Sequence, residues 1–294
     1  MACLRYSPKW SLRRIGACRH RLRTPLVLLA GVLALSLNAA ADETPHCSRV
    51  IRVAARPVGR FLWTTPAGEV VGPFKELLSA VGARVGCEFQ YDPVSAARAA
   101  ALFGDGVADI LPGAQTPERD TQGRFVFLVY NRLVLFSRAD RHLGISSTDD
   151  LVARQMTVDV VHGYDYGVPY RRLLEALGRN GYVVENVSLK TIAERMAAGQ
   201  SDAALMTAPP FVDAALAAGL ADNLQVTPLD GLPVAVGGLY LNGKALPAAD
   251  SELLARAISD GVRRGEYLEF LRRSVATVAW GMSGVLDDTE LHPQ

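Results

Sequence analysis

The residues that metal and nucleophile chemistry need in clusters are scattered in this chain. Its 294 residues include four cysteines, none in Cys-x-x-Cys spacing, and five isolated histidines (His20, His46, His142, His162, His292). Neither a zinc-type ligand set nor a disulfide scaffold fits that distribution. A glycine-rich phosphate loop and a Gly-x-Ser-x-Gly elbow are also missing, so no metal or cofactor is expected and the usual nucleotide-binding and hydrolase signatures fall away. Aromatic residues make up 7% and charged residues 21%, against 49% hydrophobic. That balance suits a globular protein with a substantial core and excludes disorder. Basic charge is scarce once the N-terminus is set aside. Seven of the 31 basic residues and no acid lie in the first 41 positions, leaving 24 basic against 30 acidic residues, a net of −6. A surface of that sign offers no counterion exchange to a nucleic acid, which excludes this class of partner.

What is there begins with a leader. The basic stretch is followed by 18 residues without charge, Thr24 to Ala41, ending in Ala39-Ala40-Ala41 just before Asp42-Glu43. Residues 1–41 read as a secretory signal peptide cleaved after about Ala41; an uncleaved membrane anchor is the competing reading, at the lower limit of length for a span. Export then carries the protein to the periplasm without lipidation, since Cys47 has no lipobox before it. The mature chain keeps only Cys47 and Cys87. Each stands just before a β-branched or aromatic run, Val50 to Ala54 and Glu88 to Tyr91. Neighbouring parallel strands would put both at one sheet edge, and an oxidising compartment favours pairing them; two inert buried thiols are the other possibility.

From Val50 onward short strands alternate with helical stretches, as βαβ units do. Phe74 to Val85 carries Leu77, Leu78 and Val81 on one face, and Ser95 to Phe103 is an alanine-rich helix. The pattern restarts at Ser147-Thr148-Asp149-Asp150, a helix N-cap with acidic first-turn residues. Pro169 opens another helix, and Asp250 to Arg273 reads as helical. Gly106-Val-Ala-Asp109 and Gly199-Gln-Ser-Asp202 repeat one device: a glycine free to end a helix left-handed, then an aspartate entering a strand. Two α/β lobes built alike place the natural ligand site in the cleft between them.

These landmarks resemble the family-3 extracellular solute-binding proteins, the polar amino-acid-binding group that serves ABC transporters. The resemblance rests on Gly68-Glu69-Val70-Val71-Gly72, on both Gly-x-x-Asp elements, on Thr116-Pro117-Glu118-Arg119 and on Ser147 to Leu151, and it runs from about Val50 to Leu271. It implies a two-lobe periplasmic-binding-protein fold of the Venus-flytrap type, with two hinge crossings expected near Arg138 to Arg141 and Pro228 to Val236. The expected divisions are residues 42–138 for the first part of lobe 1, 139–230 for lobe 2, and 231–294 for the return to lobe 1 with C-terminal helices. A monomer delivering a small ligand to an inner-membrane ABC permease is the implied function. The alternatives are a periplasmic lyase resembling cyclohexadienyl dehydratase, with Asp165 or Glu118 as acid or base, and a soluble ligand sensor.

The resemblance assigns the ligand's α-carboxylate to Arg119, a planar fork suited to bidentate contact. Thr116 belongs to the same motif. Two departures stand out. Ala114 replaces the usual hydroxyl residue, and Thr207 occupies the position of the acid that normally holds the α-ammonium. An ammonium buried without an anion is costly to desolvate. Arg56, Arg60 and Trp63 lie in the loop after the first strand, and Arg98 starts a helix that could point inward. Such an arginine cluster favours an anionic ligand, a carboxylate-bearing molecule without an amino group. Tyr164, Asp165 and Tyr166, between a strand and the Pro169 helix, supply stacking faces, hydroxyls and one acid able to stand in as ammonium acceptor.

Overall fold

The computed structural model describes residues 45–232, 234–274 and 285–286; the expected signal peptide lies outside them. Two mixed sheets organise the chain. The first takes β1 (Ile51–Ala55), β4 (Phe89–Pro93), β5 (Ile110–Ala114), β6 (Gly123–Asn131), β12 (Ala235–Asn242) and β13 (Val285–Leu286), in the order β13-β6-β12-β5-β1-β4. The second takes β7 (Leu133–Arg138), β8 (Val158–Val161), β9 (Val183–Asn186), β10 (Ala203–Thr207) and β11 (Leu224–Pro228), in the order β11-β7-β10-β8-β9. A small ribbon of β2 (Trp63–Thr64) and β3 (Val70–Val71) lies in the loop after β1.

Helices pack on these sheets where the sequence can start and stop them. In α1 (Pro73–Val85), proline opens the first turn and Gly86 closes the last with φ +62°. Its Leu77, Leu78 and Val81 are completely buried, each worth about 1.5–3 kcal/mol over exposure. Ser95 caps α2 (Ala96–Gly104) by accepting from the Arg98 N–H. A short α3 (Pro117–Asp120) follows β5. Ser147 and Asp150 form a capping box on α4 (Thr148–Ala153). Lobe 2 continues with α5 (Val168–Gly178), α6 (Leu189–Ala197) and α7 (Ala208–Ala217). The C-terminal helical segment is two helices, α8 (Ala248–Arg263) and α9 (Glu266–Ser274). Gly265, at φ +76°, turns the chain between them. Gly106 and Gly199 both adopt left-handed φ, +74° and +71°, at the ends of their helices.

Cys47 and Cys87 are disulfide-bonded, beside the parallel pair β1 and β4. Nearby, buried Asp109 accepts both Nη atoms of Arg49, at 2.6 and 2.7 Å, and the Arg52 N–H.

The first crossing needs correction. β7 pairs antiparallel with β10 and β11, so Leu133 to Arg138 belongs to the second lobe. The chain changes sheet at Arg132, between β6 and β7, rather than near Arg138 to Arg141. Both runs are apolar and extended, and only their long-range partners distinguish them. The return passes between Pro228, the last residue of β11, and Ala235, the first of β12.

Candidate functional site

Two arginines meet at the end of the first sheet. Arg56 follows β1 directly and is only 7% exposed. Its Nε donates to Pro112 O at 2.9 Å, and its Nη1 is buried without a partner. Arg119 sits in α3, whose N-cap Thr116 accepts the Arg119 N–H on its hydroxyl, and its Nη1 donates to Ala114 O at 3.0 Å. The two guanidinium groups flank Gly113. A Cβ there would lie 3.3 Å from Arg119 Nη1 and 3.4 Å from Arg56 Nη2, so a bare glycine makes room for them. Burial, and then the neighbouring Arg56 charge, push the Arg119 pKa down. Arg56 is buried and Arg119 half-buried, and two cations this close disfavour each other, a cost that an anion between them would relieve.

A cavity of about 40 Å³ opens at Gly113, with Arg56, Ala114, Asn131, Tyr164, Tyr166 and Thr207 among its walls and Phe61 and Phe74 behind them. Tyr267 of α9 stacks on Phe74 at 5.5 Å, so the C-terminal helix backs the cavity. None of the residues lining it is acidic. Tyr164, from the loop after β8, brings its ring to 4.8 Å from the Arg56 guanidinium carbon, a cation–π contact. Burial raises the Tyr166 pKa while a hydrogen bond with Thr207 opposes it. Thr207, at the end of β10, is thereby held in the wall at the position where the ammonium-binding acid was missing.

Other residues singled out in the sequence lie elsewhere. Asp165 is half-buried, its Oδ2 on Arg171 Nη1 at 2.7 Å and its Oδ1 accepting the Gly167 N–H at 2.9 Å. Both oxygens are engaged and Asp165 is not part of the cavity wall, although its charge acts on Arg119, where it raises the pKa against the effect of Arg56. Arg98 is exposed on α2 and does not line the cavity. Trp63 lies on an outer chamber of about 760 Å³, shared with Lys190, Asp213 and the far side of Tyr164. Arg60 covers Trp63 at 5.4 Å and pairs with Asp213 of α7 at 2.8 Å. So Arg56 faces inward, while Arg60 stands neutralised at the mouth.

The lobes are closed on each other. Arg171 of α5 binds Glu118 of α3 through both Nη atoms, and the Tyr164 hydroxyl donates to Pro57 O at 2.9 Å. The backbones themselves meet. A Cβ on Gly59 would lie 2.2 Å from Pro210 O, and one on Gly163 would lie 2.7 Å from Ala97 N. Glu118 is exposed, and its own backbone N–H, followed by Arg171, holds its carboxyl below the usual range. A general acid would need the opposite shift. Asn131, Gly113, Arg171 and Asp213 escaped the sequence reading. Each is a single residue without a motif, brought to the site by pairings far along the chain.

A scan against protein-family models found no match, nor did a search of curated proteins. Solved structures do match. An amino-acid ABC transporter substrate-binding protein of Streptococcus pneumoniae bound to L-arginine superposes with a TM-score of 0.63 at 17% identity, covering 76% of this chain and 93% of that one. A histidine kinase sensor domain with similarity to periplasmic binding proteins gives 0.64 at 20% identity, over 82% and 99%. An ancestral amino-acid-binding protein, described as a precursor of cyclohexadienyl dehydratase, gives 0.63 at 15% identity, over 76% and 94%. At these identities the likeness fixes the fold: a two-lobe periplasmic-binding-protein architecture.

Proposed function

We propose that this protein is a periplasmic receptor that captures a small carboxylate-bearing anion lacking an amino group, closes its lobes over it, and presents it to an ABC-type permease. The observation that carries this reading is the pair Arg56 and Arg119 converging at Gly113 beside a cavity with no acidic lining residue. A carboxylate between two guanidinium groups gains charge-assisted hydrogen bonds of roughly 1.5–3 kcal/mol each. An ammonium in the same space would meet two like charges and no acidic residue in the cavity wall. The fold supplies the closure, by hinge motion about the two crossings.

Chemistry in the cleft has less support. Of the two acids that could have served, Glu118 stands exposed with a depressed pKa, and Asp165 is held by Arg171 and Gly167. The direct test is a thermal-shift comparison of amino acids with matched acids lacking the amino group. A ligand at 100 times its Kd adds about 2.7 kcal/mol, a readily visible rise in melting temperature. Shifts with the deaminated acids alone are expected; shifts with the amino acids alone would sink the proposal.

A further inference from the structure

A cavity wall with a second polar group left unbonded asks for a second group on the occupant. Asn131 provides it. It is 5% exposed, lines the same cavity as Arg56, and its Oδ1 is buried with no hydrogen-bond partner. Native structures rarely tolerate such an orphan without a reason. Asn131 ends β6 and pairs with Ala235 at the start of β12, so it stands where both crossing strands leave the first sheet. Its Nδ2 faces Gly237, where a Cβ would lie 3.0 Å away; a side chain there would crowd the amide.

Resting on the carboxylate reading above, we infer that Asn131 recognises an uncharged hydroxyl next to that carboxylate, making the ligand class short 2-hydroxy acids. The orphaned amide oxygen accepts from a hydroxyl, whereas an oxo group has no proton to give it. An ammonium at that position would find a neutral dipole instead of the anion its burial requires. The ligand is short because the cavity measures about 40 Å³, where one water already needs roughly 10–15 Å³.

Four three-carbon acids of nearly one size test this by titration calorimetry: propanoate, lactate, pyruvate and alanine. Lactate should bind the wild-type protein at least about tenfold more tightly than propanoate, pyruvate or alanine, the scale of one buried hydrogen bond. In Asn131→Leu, a change of similar volume, propanoate affinity should persist while lactate falls to its level. Asn131→Asp, nearly isosteric, serves if the leucine variant does not fold; its carboxylate should move preference toward alanine by about tenfold. Wild-type binding of lactate no tighter than that of propanoate or pyruvate overturns the role of Asn131 and leaves the carboxylate reading standing. A preference that survives Asn131→Leu, or an unmoved alanine affinity in Asn131→Asp, does the same. Wild-type preference for alanine overturns the carboxylate reading and this inference with it; no binding of any of the four overturns this inference alone, and the carboxylate reading then stands or falls on the longer deaminated acids.

Discussion

Arg171 of the second lobe grips Glu118 of the first, with Nη1 2.9 Å from Oε2 and Nη2 2.5 Å from Oε1, while the same Nη1 holds Asp165 of its own lobe. The guanidinium is anchored on one side and reaches across the cleft on the other, so opening the lobes breaks only the Glu118 half.

Closure is therefore linked to protons. The largest part of the depression of the Glu118 carboxyl comes from its own backbone N–H and does not depend on closure; the part due to Arg171 exists only in the closed form, so closing favours the ionised group. This closure-linked contribution is fully present above the open-form value and is lost as pH falls through the still lower closed-state value. Small-angle scattering should show the radius of gyration of the ligand-free protein growing over that acidic window. Glu118→Gln should remove the step; an identical acid transition in that variant would place its origin elsewhere.

Arg119 should trade stability for binding. Its charge is buried beside Arg56, and both effects disfavour it. Arg119→Met is expected to weaken carboxylate binding about 10–100-fold, one charge-assisted bond's worth. In the absence of ligand its melting temperature should stay level or rise, because the repulsion is relieved. A drop in melting temperature with affinity unchanged would make Arg119 a structural residue.

Gly59 sets how closely the lobes approach. Alanine there adds a Cβ that would overlap Pro210 of the opposite lobe, at a φ of +51°. The strain alone costs about 1 kcal/mol, but the wedge should lower the closed fraction and with it the affinity, by about tenfold or more. Gly163→Ala, which meets the Ala97 backbone from the other lobe, should behave alike. Compact scattering profiles with unchanged affinity in both variants would show that closure is not needed for binding.

The disulfide ties residues 40 positions apart, and in the chain-entropy model such a cross-link is worth about 4 kcal/mol. Replacing Cys47 and Cys87 by serine should lower the melting temperature by on the order of 10 °C. Ligand affinity should survive, since neither cysteine lines the cavity.

The sequence disclosed what is local. Ser147 and Asp150 announced a capped helix, Gly106 and Gly199 two left-handed helix ends, and Cys47 and Cys87 their own pairing. It was silent where meaning comes from pairing at a distance. Leu133 to Arg138 looks like a continuation of the apolar run before it, yet it pairs with β10 and β11. Asn131 is one polar residue closing Phe125 to Tyr130, and nothing nearby marks it as a cavity wall. Arg56 and Arg98 are equivalent as letters; one follows a central strand into the cleft, and the other lies on the outer turn of a helix. Asp165 looked free because the arginine that occupies it comes six residues later, one helical turn and a half away.

Tyr164 stands between the inner cavity and the outer chamber, its hydroxyl tied to Pro57 across the cleft. On the proposed function, an occupant of the inner cavity would leave past Tyr164 more readily once the lobes part. Residence time would then belong to the protein more than to the ligand. Acids that differ widely in affinity should leave at converging rates set by the breaking of the Arg171, Arg60 and Tyr164 contacts, and a membrane partner that pries those contacts apart would govern delivery without touching the cargo.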